Sequence, residues 1–200
     1  VADLRVADRP LGSALLRSRQ LVDGLQVDVL QLRRKGQVID LQGSWRGRGA
    51  QGRTALQMQV DSQDFGELFG AQGQLRGGQG QLTLAAAWPG GPQDFSLARL
   101  DGRVQLDARN GQLLEVDPGA GRVLGLLSLA QLPRRMLLDF RDLYSRGLAF
   151  NQVQADVVFG QGSARSQGIV IDSPAADIRI HGQADLAAQQ FDQVVEVDPH

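Results

Sequence analysis

Two hundred residues are enough to bury a sizeable core. A formal net charge of −1 argues against a nucleic-acid binder, which carries a basic surplus, and the lack of cysteine excludes disulfides, zinc–cysteine sites and cysteine nucleophiles. Glycine and glutamine each number 25, arginine outnumbers lysine 20 to 1, and aspartate outnumbers glutamate 19 to 3. Such a chain is poor in helix formers, rich in turn formers and therefore β-dominated.

Taken in chain order, period-2 alternation begins at Ile39, Leu41 and Trp45 and continues at Leu56, Met58 and Val60. Residues 64–71 read instead as a short helix, with Phe65, Leu68 and Phe69 at helical spacing and Ser62 or Asp64 as its cap. Alternation resumes at Leu82, Leu84, Ala86 and Trp88, then at Leu100, Gly102, Val104 and Leu106. Residues 118–131 read as a second helix, with Asp117 at the N-cap, Pro118 at the first helical position and Pro133 after its end. Val123, Leu124, Leu126, Leu127 and Leu129 cover nearly every side of that helix, so it is expected to be buried. A weaker helical turn is expected at 141–145. Strands return at Val153, Ala155, Val157 and Phe159, at Ile169 and Ile171, and at Ile178 and Ile180.

One apolar and one polar face per strand, with short connections, predicts a meander of antiparallel strands and not βαβ units. Turns are expected at Arg76-Gly77-Gly78, Arg109-Asn110-Gly111, Gly160-Gln161-Gly162 and Asp172-Ser173-Pro174. Asn110-Gly111 in particular predicts a type I′ hairpin. A faint repeat relates 102–118 to 182–199, and is expected of a stacked strand-pair unit. The longest apolar stretch, residues 123–130, falls far short of the roughly 20 residues that span a bilayer. The chain opens Val1-Ala2-Asp3 and stops on a strand-like run, so an internal length of a longer protein is expected.

Catalytic chemistry finds little support. A Ser–His–Asp triad would have to use His181, which an alternating strand is expected to point at solvent. Metal ligation lacks the same residues. Asp139 and Asp142 form a conceivable carboxylate pair, but aspartates at turns and strand ends ordinarily satisfy backbone donors. The glycine-rich entry to the second helix, 117–122, lacks the Gly-Lys-Ser/Thr of a phosphate loop. Arg122, Arg134 and Arg135 are candidate contacts for a lipid headgroup. No enzyme activity, cofactor or metal is expected. The strands nevertheless present more apolar surface than two short helices can cover. Either the sheet folds on itself as a sandwich, or part of its face stays open as a groove for an apolar ligand.

A family resemblance separates these alternatives. The run LDGRVQLDARNGQLLEVDPGAGRVLGLLSL at 100–129 resembles the C-terminal region of the YhdP proteins, AsmA-like proteins of Gram-negative bacteria, as does LPRRMLLDFRDLYSRGLAF at 132–150. The WPGGP at 88–92 and the DSPAA at 172–176 leading into residues 178–186 are similar to the same family. The specific resemblance covers about 76–199, and 1–74 is similar only in its alternating strands. It implies an elongated, curved antiparallel β-sheet forming an apolar groove, with two short helices. In that expectation 1–75 is a strand-repeat segment, 76–200 is the C-terminal groove segment, and the two are continuous.

The implied function is to conduct phospholipid between inner and outer membranes. The implied setting is the periplasm, within a protein anchored in the inner membrane by a segment outside this chain. Phospholipid acyl chains are then the partner, envelope membrane proteins are further candidates, and nucleic acid is excluded. Ile39, Leu41, Leu56, Met58, Leu82, Leu84, Val104, Leu106, Val157, Phe159, Ile169, Ile171, Ile178 and Ile180 are the expected groove lining, with the 118–131 helix as its cap. The competing expectation is a non-transport structural or protein-binding β domain of the envelope.

Overall fold

The computed structural model describes residues 4–6, 9–47, 49–69, 75–114, 147–188 and 190–200. They form an 11-stranded sheet in which spatial order equals chain order. The strands are β1 (Leu4–Val6), β2 (Arg9–Leu21), β3 (Gly24–Arg34), β4 (Gln37–Arg46), β5 (Arg53–Ser62) and β6 (Leu75–Pro89). They continue with β7 (Asp101–Leu113), β8 (Leu148–Gly160), β9 (Ser163–Asp172), β10 (Ala176–Asp185) and β11 (Gln190–Pro199). Every pairing is antiparallel, and β1 and β11 stand at opposite edges, so the sheet is open. The expected meander of antiparallel strands is thus the observed architecture.

Register keeps the apolar residues in phase across the whole sheet. Leu32, Ile39, Val60, Leu82, Leu106, Ala155, Ile169, Ile180 and Val195 stand opposite one another in turn, from β3 to β11. A one-residue slip of any strand would send its apolar set to the polar face, and the pattern is what forbids it. Two bulges preserve this phase where the sequence does not alternate. Asp28 is an extra residue of β3 relative to both neighbours, so Val27 and Leu30 lie on the same face. An extra residue in β9 does the same for Ser166 and Ile169.

Two expected turns are absent. Arg76-Gly77-Gly78 lies inside β6 and Arg109-Asn110-Gly111 inside β7, with no chain reversal at either. Positive φ at Gly77, Gly78 and Asn110 marks facing kinks in the two strands. The kinks make room for Phe150 of β8. A Cβ placed on Gly111 would clash with the Phe150 ring, and one placed on Gly78 would come into van der Waals contact with it. The Asn-Gly pair that signals a hairpin is used to bend a strand around an aromatic ring. The turns at Gln161-Gly162 and after Asp172 stand where the sequence places them.

The first helix is shorter than expected: α1 spans Phe65–Phe69. Of the two proposed caps Asp64 is the one that acts, and Ser62 supports it from outside the helix. The Asp64 carboxylate accepts from the Glu67 amide at 3.1 Å, and the Ser62 hydroxyl accepts from the Asp64 amide at 3.1 Å. Phe65 is fully buried and Leu68 packs beside it against the core. The 118–131 helix, the turn at 141–145, and with them Val123, Leu124, Leu126, Leu127, Leu129, Arg122, Arg134 and Arg135, lie outside the described residues.

Candidate functional site: the apolar face of the sheet

Every lining residue named from the sequence falls on one face. Ile39 and Leu41 of β4 stand opposite Val60 and Met58 of β5, and Leu82 and Leu84 of β6 follow in the same two rows. Leu56 leads through Ala86 and Gly102 to Phe159. Val104 and Leu106 face Val157 and Ala155, and Ile169 and Ile171 lead to Ile180 and Ile178. The alternation of the sequence is therefore a real surface.

Among the described residues, that face has two flanks packed by α1 and by the β6–β7 connection, and a middle, at Leu41 and Val104, that joins neither. Along one set of strand ends, α1 brings Phe65 and Leu68 into a cluster with Val60, Ile39, Leu82, Leu106 and Phe150. Along the opposite ends, the β6–β7 connection folds over Trp88, Leu100 and Ala86, with Leu56, Leu84 and Leu97 packed beside them. This flank is held rigidly. Trp88 donates its indole N–H to the Gly91 carbonyl at 2.9 Å and meets Phe95 edge-on at 5.3 Å between ring centroids. Thr54 donates to the Gly90 carbonyl at 2.9 Å, fastening the connection to β5. From strand to strand across the face runs the row Leu16, Leu30, Leu41, Met58, Leu84, Val104 and Val157, of which Met58 and Val157 join the first cluster and Leu84 the second. Leu41 and Val104 of this row belong to neither cluster and stay half-buried.

The face also changes along its length. Ile39, Leu41, Leu56, Met58, Leu82, Leu84, Val104, Leu106 and Phe159 are half-buried. Val157, Ile169, Ile171, Ile178 and Ile180 are buried, with Ile169 only 1% exposed. The β8–β11 end is a closed core, whereas the β2–β7 end retains accessible apolar surface, with Leu16 at 59%. The sequence list omitted Leu16, Leu25, Leu30 and Leu32, which continue the face into β2 and β3. The signal of Leu30 and Leu32 was masked by the Asp28 bulge, which breaks strict alternation across 27–30.

The opposite face is polar and internally hydrogen-bonded. Gln31 donates to Asp40 at 2.5 Å and Gln42 to Gln57 at 2.6 Å. Gln152 and Gln154 converge on Asp107. A shallow concavity of about 460 Å³ lies there, bordered by Asp28, Asp40, Gln57, Thr83, Arg103 and Gln105. His181 is exposed on this side, as an alternating strand predicts. Among the described residues no group of three or more His, Asp or Glu side chains is placed to hold a metal, and no helix is long and apolar enough to cross a membrane.

The strongest polar contact is the pair Arg103 and Asp156, in which the guanidinium donates from both Nε and Nη2 to the two carboxylate oxygens. Hydrogen bonding from Arg103 holds the Asp156 carboxyl below its usual range, against the opposing effect of partial burial. A carboxyl lowered on folding stabilises the fold above its unfolded value of about 3.9 and loses that contribution as pH falls through the folded value. Arg103→Gln is accordingly expected to remove part of the acid-side loss of stability, leaving a shallower decline below about pH 4 in thermal melts. An unchanged acid limb would show that the pair is not what titrates there.

A sheet of this kind is matched along its whole length by a family model described as YhdP protein, over residues 1–200. The chain is 26% identical over 161 residues to a protein of Escherichia coli (strain K12) named intermembrane phospholipid transporter YhdP. The matched part is 78% of this chain but only 13% of that relative. No solved structure matches the chain. Full-length agreement with the family model, joined to an open sheet with one unbroken apolar face, leads to one conclusion: this chain belongs to the YhdP family.

Proposed function

We propose that the protein is a length of phospholipid-conducting surface, in which acyl chains lie on the apolar face of β2–β7 while headgroups stay in water. A role in lipid transport follows the relative, whose name makes it an intermembrane phospholipid transporter. The observation that carries the reading here is the row through Leu30, Leu41, Met58, Leu84 and Val104, apolar from strand to strand and only half-buried at every position. Covering it with hydrocarbon is worth about 0.8 kcal/mol per methylene, so one acyl chain supplies ample affinity without polar recognition. Near-equivalent positions in series give a lipid no single well to lodge in, which suits passage along the sheet. The flanks act as walls, and the hydrogen-bonded amides and carboxylates of the other face keep it wet.

In this reading the protein works in the periplasm between inner and outer membranes, as part of an inner-membrane-anchored carrier, and performs no catalysis. Envelope membrane proteins are its natural neighbours at the ends of the path. The closed β8–β11 end favours a structural role for that part of the sheet, since Ile169, Ile171, Ile178 and Ile180 are already covered. Mass spectrometry of lipid extracted from the purified protein tests the proposal. Phospholipid retained at a molar ratio near one or above is the expected result. A protein free of lipid even when purified without detergent would favour the purely structural alternative.

A further inference from the structure

Two buried side-chain nitrogens have no hydrogen-bond partner among the described residues, Trp45 Nε1 and Gln193 Nε2. Register puts both on the apolar face, Trp45 opposite Leu25 and Thr54, Gln193 opposite Gly182. The other tryptophan, Trp88, has its indole N–H satisfied by a carbonyl, and the amides Gln31 and Gln42 of the polar face are joined to neighbouring side chains. Buried donors left open are uncommon in folded proteins and call for a specific acceptor.

Gln193 lies on β11, in the closed end of the face. Trp45 lies in the open part. It is the last inward-facing residue of β4, following Leu41 and Gly43 toward the strand end at Arg46. Across β5, Thr54 turns its O–H to the Gly90 carbonyl, and its oxygen accepts no bond from the indole. Across β3 stands Leu25, 40% exposed, with Gln20 exposed beyond it. Arg46 and Arg53, which face each other at the strand ends, belong by alternation to the opposite side of the sheet. The indole N–H is therefore set at the border of a hydrocarbon-lined surface, and among the described residues of β3, β4 and β5 no cation shares its face beside it. A neutral carbonyl oxygen suits such a donor better than a bare phosphate.

The geometry assigns Trp45 a specificity-determining role: its indole N–H donates to an acyl-ester carbonyl of a diacyl lipid lying on the apolar face. The assignment rests on the lipid-conducting reading above and names the chemical feature that reading lacks, an ester oxygen at a fixed depth. The nitrogen is buried in the free protein, so binding must open the site around it.

Equilibrium binding of delipidated protein to two probes tests this, dioleoyl phosphatidylglycerol and the dialkyl ether analogue with the same chains and headgroup but no carbonyls. The diester is expected to bind about fivefold more tightly, the size of one neutral hydrogen bond. Trp45→Phe is expected to abolish the preference, so that diester and diether bind the variant equally. Equal binding of both probes by the native protein would overturn the assignment while leaving the lipid surface standing, and this comparison needs no variant to fold. A diester preference that survives in Trp45→Phe would also overturn it. Binding of neither probe would overturn the lipid surface itself.

Discussion

Val104→Asp is expected to strip phospholipid from the protein, lowering the retained amount about tenfold or more, while the sheet remains folded. Val104 lies half-buried on β7, outside both flanking clusters, with Leu84 on one side and Val157 on the other. A carboxylate there stays in contact with water in the free protein, so it costs little until hydrocarbon is laid over it. Covering a charge without a partner then costs several kcal/mol, more than the methylenes around it return. Phosphorus analysis of the purified variant gives the lipid content, and circular dichroism with a thermal melt gives the fold. Undiminished lipid in a folded variant would show that cargo does not touch this row. An unfolded variant would show that Val104 is core.

The second large effect lies at the other end of the same face. Ile169→Ala is expected to lower stability by about 2–5 kcal/mol, because Ile169 is almost completely buried between Ala155 and Ile180 and its loss leaves a cavity. Leu41→Ala, on the half-buried row, is expected to cost about 1 kcal/mol, since little new surface is removed from its packing and no enclosed void is made. Denaturant titration of the two variants measures the difference. Equal losses would mean that the face is covered uniformly and that no part of it is open to cargo. The two substitutions thus separate lining from core, which alternation alone treats as one class.

Most of the strands were legible because one face had to be wet. Gln42, Gln57, Gln59 and Asp61 between apolar neighbours leave a period of two that no helix could satisfy. Legibility failed where a local signal had a second use. Asn110-Gly111 announces a hairpin by its tolerance of positive φ, and the chain spends that tolerance on a kink beside Phe150 instead. Only the paired kink at Gly77 and Gly78, distant in sequence, shows why. The Asp28 bulge hid Leu30 and Leu32 for a related reason, since one inserted residue reverses the apparent inside and outside of everything after it. The lining of the candidate site was readable as a face. Its division into open and closed ends was not, because burial depends on what packs above a residue and not on the residue itself. Trp45 illustrates the remainder: its place on the face was evident, but an unmet hydrogen bond exists only in three dimensions.

Because spatial order equals chain order throughout, each strand depends mainly on the two beside it. Stability in such an array is a sum of neighbouring terms, as in repeat proteins, and formation can spread from any well-made hairpin. Evolution can then lengthen or shorten the surface with little disturbance elsewhere, but only in steps of two strands. Inserting a single strand would bring the next connection out at the wrong edge and exchange the positions of α1 and the Trp88 turn relative to everything that follows. The unit of growth is the hairpin, and the reach of the surface is set by counting pairs.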